Sequence, residues 1–344
     1  MSGTDLGVFT IWAGHALQTI SPKRMLALAL TCFTVGGTLG LGVGDPVAFV
    51  AGYSVLALGL GAGLSTAACI AFVSRVYPSM RGMLGGTLLA LYGMSSVISA
   101  PLFASLDDRF GWRAALAALM GVYALVGWAA WITLPGVTGV DQAKRSAPSI
   151  LALLSRRPVQ WALGLLVLAT PLGSASFATI GNLVGTFGFS PPSAVTAVAL
   201  MAASNGLGRL GFGALADWRG ARFSRIAVLS INAVAAIGLL AVFHGADRHL
   251  LLVYAVLMGL SFGGMAGKLP TLAAHVVKDG HAESAFGLLF GAFALASFLG
   301  PLLSAAVGMH AALEVLAVMA ITSAVFVHFT PCASLHRCAR TLFG

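Results

Sequence analysis

Residues 205–223 read "NGLGRLGFGALADWRGARF". Gly206, Gly208 and Gly211 fit the G-x-G-x-x-G spacing with which a strand-to-helix turn cradles a pyrophosphate. That chemistry needs a strand before the glycines, a helix opening on them, and an acid about 20 residues on for the ribose. Here the next acid, Asp217, follows Gly211 by six residues, and Arg209 interrupts the glycines. The stretch also continues an apolar segment, 193–216, with no strand in front of it. The glycines therefore read as small residues that let membrane helices approach closely.

The rest of the chain supports a membrane reading. Of its 344 residues 58% are hydrophobic and 8% charged, against about 25% charged in a soluble domain. So few charges cannot cover a water-facing surface. Glycine, proline and charge clusters cut the chain into eleven apolar segments: 4–20, 25–44, 46–76, 82–105, 113–134, 159–186, 193–216, 224–243, 249–276, 283–307 and 310–330. Each is of the length that crosses a ~30 Å hydrocarbon core. Lipid excludes open strands, so all are expected to be helices. The fold class is an all-α polytopic membrane protein with eleven transmembrane helices. The N-terminus shows no signal-peptide pattern, and the polar connection 136–158 divides the chain in two.

Charge sorts the loops. Lys23, Arg24, Arg75, Arg81, Lys144, Arg145, Arg156, Arg157, Arg219, Arg222, Arg225, Lys278, Arg337 and Arg340 fall on one side, and Arg109, Arg113 and Arg248 on the other. The positive-inside rule makes the first side cytoplasmic, with the tail 332–344 inside, Met1 outside, and the plasma (inner) membrane as the location. The net charge of +9 is thus spread over loops and not gathered into a nucleic-acid face. Cys32 and Cys69 lie in apolar runs, and "CASLHRC" at the tail is too sparse for a metal centre. No cofactor is expected.

A shift of 200 residues lays Gly59 on Gly259, Gly63 on Gly263, Pro101 on Pro301 and Leu116-Ala117 on Leu316-Ala317. Breakers and span ends coincide too. The chain reads as two pseudo-symmetric bundles, 1–135 and 159–331, joined by the linker, as many carriers are. Segment 159–186 has no partner in the first copy, so a twelve-helix fold lacking its first helix is expected.

The loop "GALADWRGARF" (213–223) resembles the signature G-x-x-x-D-x-x-G-x-[RK] of the major facilitator superfamily, matched by Gly213, Asp217, Gly220 and Arg222. The first copy, "GHALQTISPKR" (14–24), keeps Gly14 and Lys23 but has Gln18 and Ser21 in place of the acid and the second glycine. "SRVYPSMRGMLGG" (74–86) and "NGLGRLGFGALAD" (205–217) resemble the oxalate/formate antiporter and monocarboxylate transporter branches. The eleventh-helix lysine of the oxalate/formate branch has no counterpart in 283–307, so that branch's substrate does not carry over. "GLLFGAFALASFLGP" (287–301) resembles part of the glycine-proline antiporter motif, though close helix packing explains its glycines equally well.

Charges inside the spans mark the candidate site. Arg209 lies eight residues before Asp217, ~12 Å deep at 1.5 Å per residue, with Asn205 one turn away on the same face. Lys268 is placed similarly before His275, on a stripe with Gly264 and Thr271. A charge at mid-span costs about 2.5–3.5 kcal/mol and should face the bundle interior. None of the ten Asp and Glu sits at that depth, so the two cations suggest an anionic ligand, and the guanidinium fork suits a carboxylate. The competing readings are that Arg209 bonds backbone carbonyls and Lys268 snorkels to the interface. Pro270, two residues past Lys268, frees the Ala266 carbonyl and invites a kink, and Pro171 does the same near Ser174, Thr179 and Asn182. Tyr92, Ser96 and Ser99 form a stripe that lines the cavity or serves packing. Asp217 with Arg219 and Arg222, in a loop shaped by Gly213 and Gly220, reads as a latch across adjoining helices; Gln18 predicts a weaker or absent one in the first copy.

No span carries a nucleophile-base-acid set, so the chain is not read as an enzyme. The expected function is secondary transport of a small organic anion, a mono- or dicarboxylate, by alternating access, with exchange or uniport favoured. The partners are that anion and the bilayer, and the chain is expected to be monomeric. The alternative is a truncated, non-transporting remnant or accessory protein of the same fold.

Overall fold

The computed structural model describes residues 2–135, 149–277 and 281–329. The linker 136–148 and the tail from 330, with Cys332 and Cys338, lie outside the described residues. Among these, helices dominate and no strand occurs. They are α1 (Ser2–Ala16), α2 (Pro22–Gly42), α3 (Pro46–Val76), α4 (Arg81–Phe110), α5 (Trp112–Thr133), α6 (Arg157–Thr186), α7 (Pro191–Arg219), α8 (Ala221–Phe243), α9 (Leu250–Gly267), α10 (Leu269–Val276), α11 (Ala282–Val307) and α12 (Met309–Phe329). A short helical turn, Ile150–Leu154, precedes α6.

Local chemistry sets the ends. Ser21 caps α2 by accepting from the Arg24 amide, with Pro22 at the first helical position, where its missing N–H costs nothing. Asp45 caps α3 by accepting from the Ala48 amide at 2.9 Å, ahead of Pro46. Within α3 the stretch Phe49–Gly61 winds as a π-helix; there Gly52 lies against the Gly40 amide and the Gly36 carbonyl of α2. Gly220, at φ 89°, turns α7 directly into α8. That angle favours a residue without Cβ, which gives the motif glycine a structural reason.

Eight helices among the described residues are long and apolar enough to cross a membrane: α2, α3, α5, α6, α8, α9, α11 and α12. The other long helices, α4 and α7, interleave glycine, serine and asparagine with their apolar residues, and α1 has 15 described residues. These three share a role: α1 packs on α11 and α4 on α7, joining residues 2–135 to the later helices. The helices least suited to lipid are therefore those that face protein across the midline. Of two large apolar clusters, one around Leu166 and Leu289 also takes in Ile70 of α3 and Leu89 of α4, and the other gathers around Leu172 and Tyr254. A third, small and alanine-rich, joins Ala13, Leu17, Met25, Leu64, Ala67 and Ala68.

Candidate functional site

The seam between α4 and α7 is built on glycine. A Cβ on Gly82 would press on the Gly213 carbonyl, and one on Gly86 on the Arg209 carbonyl. Along the second seam, Gly14 and Gly287 touch backbone to backbone. Of the three opening glycines, Gly206 faces Met94 of α4, Gly208 faces the Leu260 carbonyl of α9, and Gly211 meets open space. Two of them let helices close on α7, as small residues do in membranes.

Arg209 sits half-buried in this seam. Its Nε donates to Asn205 Oδ1 at 3.1 Å, and a terminal amino group donates to the Leu89 carbonyl of α4. The expected Asn205 partnership is present, and so is the backbone-carbonyl reading. Tyr92, three residues past Leu89 on α4, is half exposed. No carboxylate pairs with Arg209 among the described residues. Asn205 is 7% exposed, and its Nδ2 has no hydrogen-bond partner. A buried amide donor left unpaired is costly, so Arg209 and Asn205 together present donors in need of acceptors.

The other candidates are placed elsewhere. Lys268 falls at the junction of α9 and α10 and is 3% exposed. The Gly267 backbone abuts that of Arg209, which sets Lys268 one residue along the chain from that contact. Arg225 of α8 has a buried, unpartnered Nε. Asn182 is exposed on α6, four residues from its end, roughly 6 Å below the turn into α7, whereas Arg209 lies roughly 27 Å from that turn. They do not share a depth. Ser99 donates to the Ser95 carbonyl of its own helix, and the Ser96 side chain lies outside the described residues.

Asp217 finds partners that the loop pattern did not suggest. Its carboxylate accepts from the Gly82 amide at 3.0 Å, the Met83 amide at 2.7 Å and Thr271 Oγ1 at 3.1 Å. It caps the N-terminus of α4 across the seam, where unpaired amides and the helix dipole favour an anion. The Arg219 guanidinium stacks over Trp218 at 4.3 Å and approaches Phe223. Arg222 is exposed on the first turn of α8.

The first-copy loop, expected to lack a firm latch, is tied across the second seam by different chemistry. Glu283 of α11 pairs with Arg75 Nε at 2.9 Å and accepts from Gln18 Nε2 at 3.3 Å. Arg75 also donates to the Leu17 carbonyl, and His281 meets Gln18 Oε1. Glu283 is not among the sequence's candidate site residues. The signal was there in the offset: 200 residues separate it from Met83, whose amide meets Asp217. Both ties lie at the ends of the helices nearest the basic loops. Close contacts run from Asp217 to Gly206 and from Gln18 to Gly7, a seal ~16 Å thick.

Solved structures share this architecture. A variant of the E. coli fucose:proton symporter FucP matches with a TM-score of 0.71 at 17% identity, over 95% of this chain and 89% of that one. A second FucP structure, in the outward conformation, matches with a TM-score of 0.69 at 17% identity over 95% and 88%. At that identity the likeness concerns the fold. No curated protein sequence matches significantly. The family model of the Major Facilitator Superfamily matches residues 6–301. With helices of this length, two seams of glycine contact and a family match over most of its length, the chain belongs to the major facilitator superfamily, and its activity is membrane transport, not enzymatic catalysis.

Proposed function

We propose that this transporter carries small organic anions, mono- or dicarboxylates, by alternating access between two pseudo-symmetric bundles of an eleven-span chain. One observation carries the reading: Arg209, inside α7 where that helix packs on α4, has only neutral acceptors, Asn205 Oδ1 and the Leu89 carbonyl. Burying a guanidinium there costs about 2.5–3.5 kcal/mol. A substrate carboxylate offsets that cost by taking both faces of the fork. In the empty carrier the Leu89 carbonyl occupies one donor; the substrate displaces it, accepts from the free Asn205 amide, and meets Tyr92. The orphaned Asn205 donor is the second support for an acceptor-bearing ligand. Lys268, at the α9–α10 junction, and Asn182, near the far turn, are second-rank candidates for contact along the path.

Asp217 is the latch. Its carboxylate holds the α4 N-terminus while the basic end is closed, and it releases when α7 rocks away. Gly213 and Gly82 set the backbone approach that makes this reach possible, and Gly220 anchors the following turn. Glu283 with Arg75 and Gln18 does the same at the second seam. With the basic loops on the cytoplasmic side, the C-terminal tail is inside and this conformation is closed to the cytoplasm. Exchange, the antiporter mode of the branches that the motifs resemble, is the preferred mode. The carrier acts as a monomer in the plasma membrane.

The test is counterflow of labelled lactate, oxalate and succinate into proteoliposomes. At least one should exchange with the unmodified chain and fail with Arg209→Ala. Counterflow that survives Arg209→Ala refutes the assignment of the site. Absence of exchange for the whole panel refutes the carboxylate reading and favours the non-transporting alternative.

A further inference from the structure

Away from the seams, a crevice of about 440 Å³ opens between α2 and α5, within the ~300–1,000 Å³ of ordinary ligand sites. Its α2 wall runs from Phe33 to Gly42, nine residues or ~14 Å along the helix. The α5 wall includes Ala117, Met120 and Gly121, and the lining is apolar apart from Thr34, Thr38 and Arg113. Glycine makes the space: a Cβ at Gly42 or Gly121 would meet nothing within 4 Å. Two hundred residues on, Val242 and Leu313, in the places of Gly42 and Arg113, are buried in a cluster shared by α6, α7, α8, α9 and α12, whereas Val234 and Ile237, in the places of Thr34 and Gly37, are exposed.

The mouth of the crevice carries a cation. Arg113 is exposed; it donates to the Gly44 carbonyl at 3.0 Å, and its guanidinium lies 5.1 Å from the Trp112 ring. No carboxylate pairs with it among the described residues. Trp112 packs edge-on against Phe49 at 5.6 Å, an aromatic pair at a helix end, where tryptophans mark the lipid headgroup level. The crevice therefore descends from an interfacial cation and an indole into an apolar slot at acyl-chain depth.

We infer that this crevice is a phospholipid site: the phosphodiester of a glycerophospholipid sits on Arg113 and one acyl chain fills the slot between α2 and α5. Arg113 has donors left over after its bond to Gly44, and a phosphate oxygen is the acceptor that a membrane supplies at that level. The acyl chain enters a slot that protein side chains leave empty, and each buried CH₂ adds to retention. The site is independent of Arg209 and stands whatever the carrier transports.

Native mass spectrometry of the full chain in detergent, titrated with palmitoyl-oleoyl phosphatidylglycerol, tests it. The unmodified chain should keep one adduct that survives delipidating detergent, and a diacylglycerol of the same chains should not form it. Arg113→Gln should weaken that adduct about fivefold, the factor for one arginine at a membrane surface. Gly121→Leu or Gly42→Leu should weaken it about tenfold or more by filling the slot. Gly211→Leu, also facing open space, is the control and should leave the adduct unchanged. Equal retention in Arg113→Gln and both slot-filling variants overturns the proposal, as does equal loss in Gly211→Leu. If the slot variants lose the adduct but Arg113→Gln and diacylglycerol match the unmodified chain and phosphatidylglycerol, the phosphate contact is wrong and the proposal fails as stated.

Discussion

Neutralising Asp217 should open the basic end of the carrier. In Asp217→Asn one carboxylate oxygen becomes an NH₂ that faces a backbone N–H, and the charge at the α4 N-terminus is lost. The bonds at stake are those to Gly82 at 3.0 Å, Met83 at 2.7 Å and Thr271 at 3.1 Å. A hydrogen bond to a charged group contributes about 1.5–3 kcal/mol, and a charge at a helix N-terminus about 0.3–1 kcal/mol. Some of this returns through the amide oxygen that remains, which leaves about 2 kcal/mol, or roughly 30-fold in the closed-to-open ratio. The readout is a single thiol at Ala274→Cys, in a background with Cys32, Cys69, Cys332 and Cys338 replaced by alanine. Ala274 lines a cavity of about 190 Å³ between the bundles with Arg81 and Glu283. Its labelling by an impermeant maleimide in everted vesicles tracks the fraction open on that side. The expected gain is roughly 30-fold, scaling with the population shift. A gain under twofold, in protein that melts normally, would show that the Asp217 bonds are equally available in both states and that the latch argument is wrong.

Two further substitutions probe the same seams. Glu283→Gln leaves Arg75 on the Leu17 carbonyl alone, and breaking a buried pair from one side costs about 3 kcal/mol. Thermal melting should fall, and adding Arg75→Met should restore at least half of the loss; no restoration would mean that the pair is not the cause. Asn205→Asp sets a carboxylate against Arg209 Nε in place of the amide oxygen now 3.1 Å away. The internal ion pair should compete with a substrate carboxylate and raise the half-saturation concentration for a labelled dicarboxylate tenfold or more. Unchanged saturation would remove Arg209 from the binding step.

What the sequence disclosed by itself was what the solvent demands residue by residue. A bilayer requires long apolar runs and internally satisfied backbone, so the helices, their bounds near 46–76 and 283–307, and the cost of Arg209 at mid-depth were all legible in composition and spacing. The motif glycine at 220 was legible too, because a φ of 89° leaves a residue-type mark. The partners of the charged groups left none. Asp217 meets the amides of Gly82 and Met83, 135 and 134 residues away, and a backbone N–H looks the same at every position in a sequence. Arg209 likewise rests on the Leu89 carbonyl. Lys268 follows Gly267, whose backbone adjoins that of Arg209, yet it is Arg209 that bonds Asn205 and the Leu89 carbonyl at the seam. Depth in the membrane is a one-dimensional property that a sequence carries. Direction around a helix, and the neighbour it finds there, arises only when glycine seams such as Gly82–Gly213 fix how closely two bundles meet.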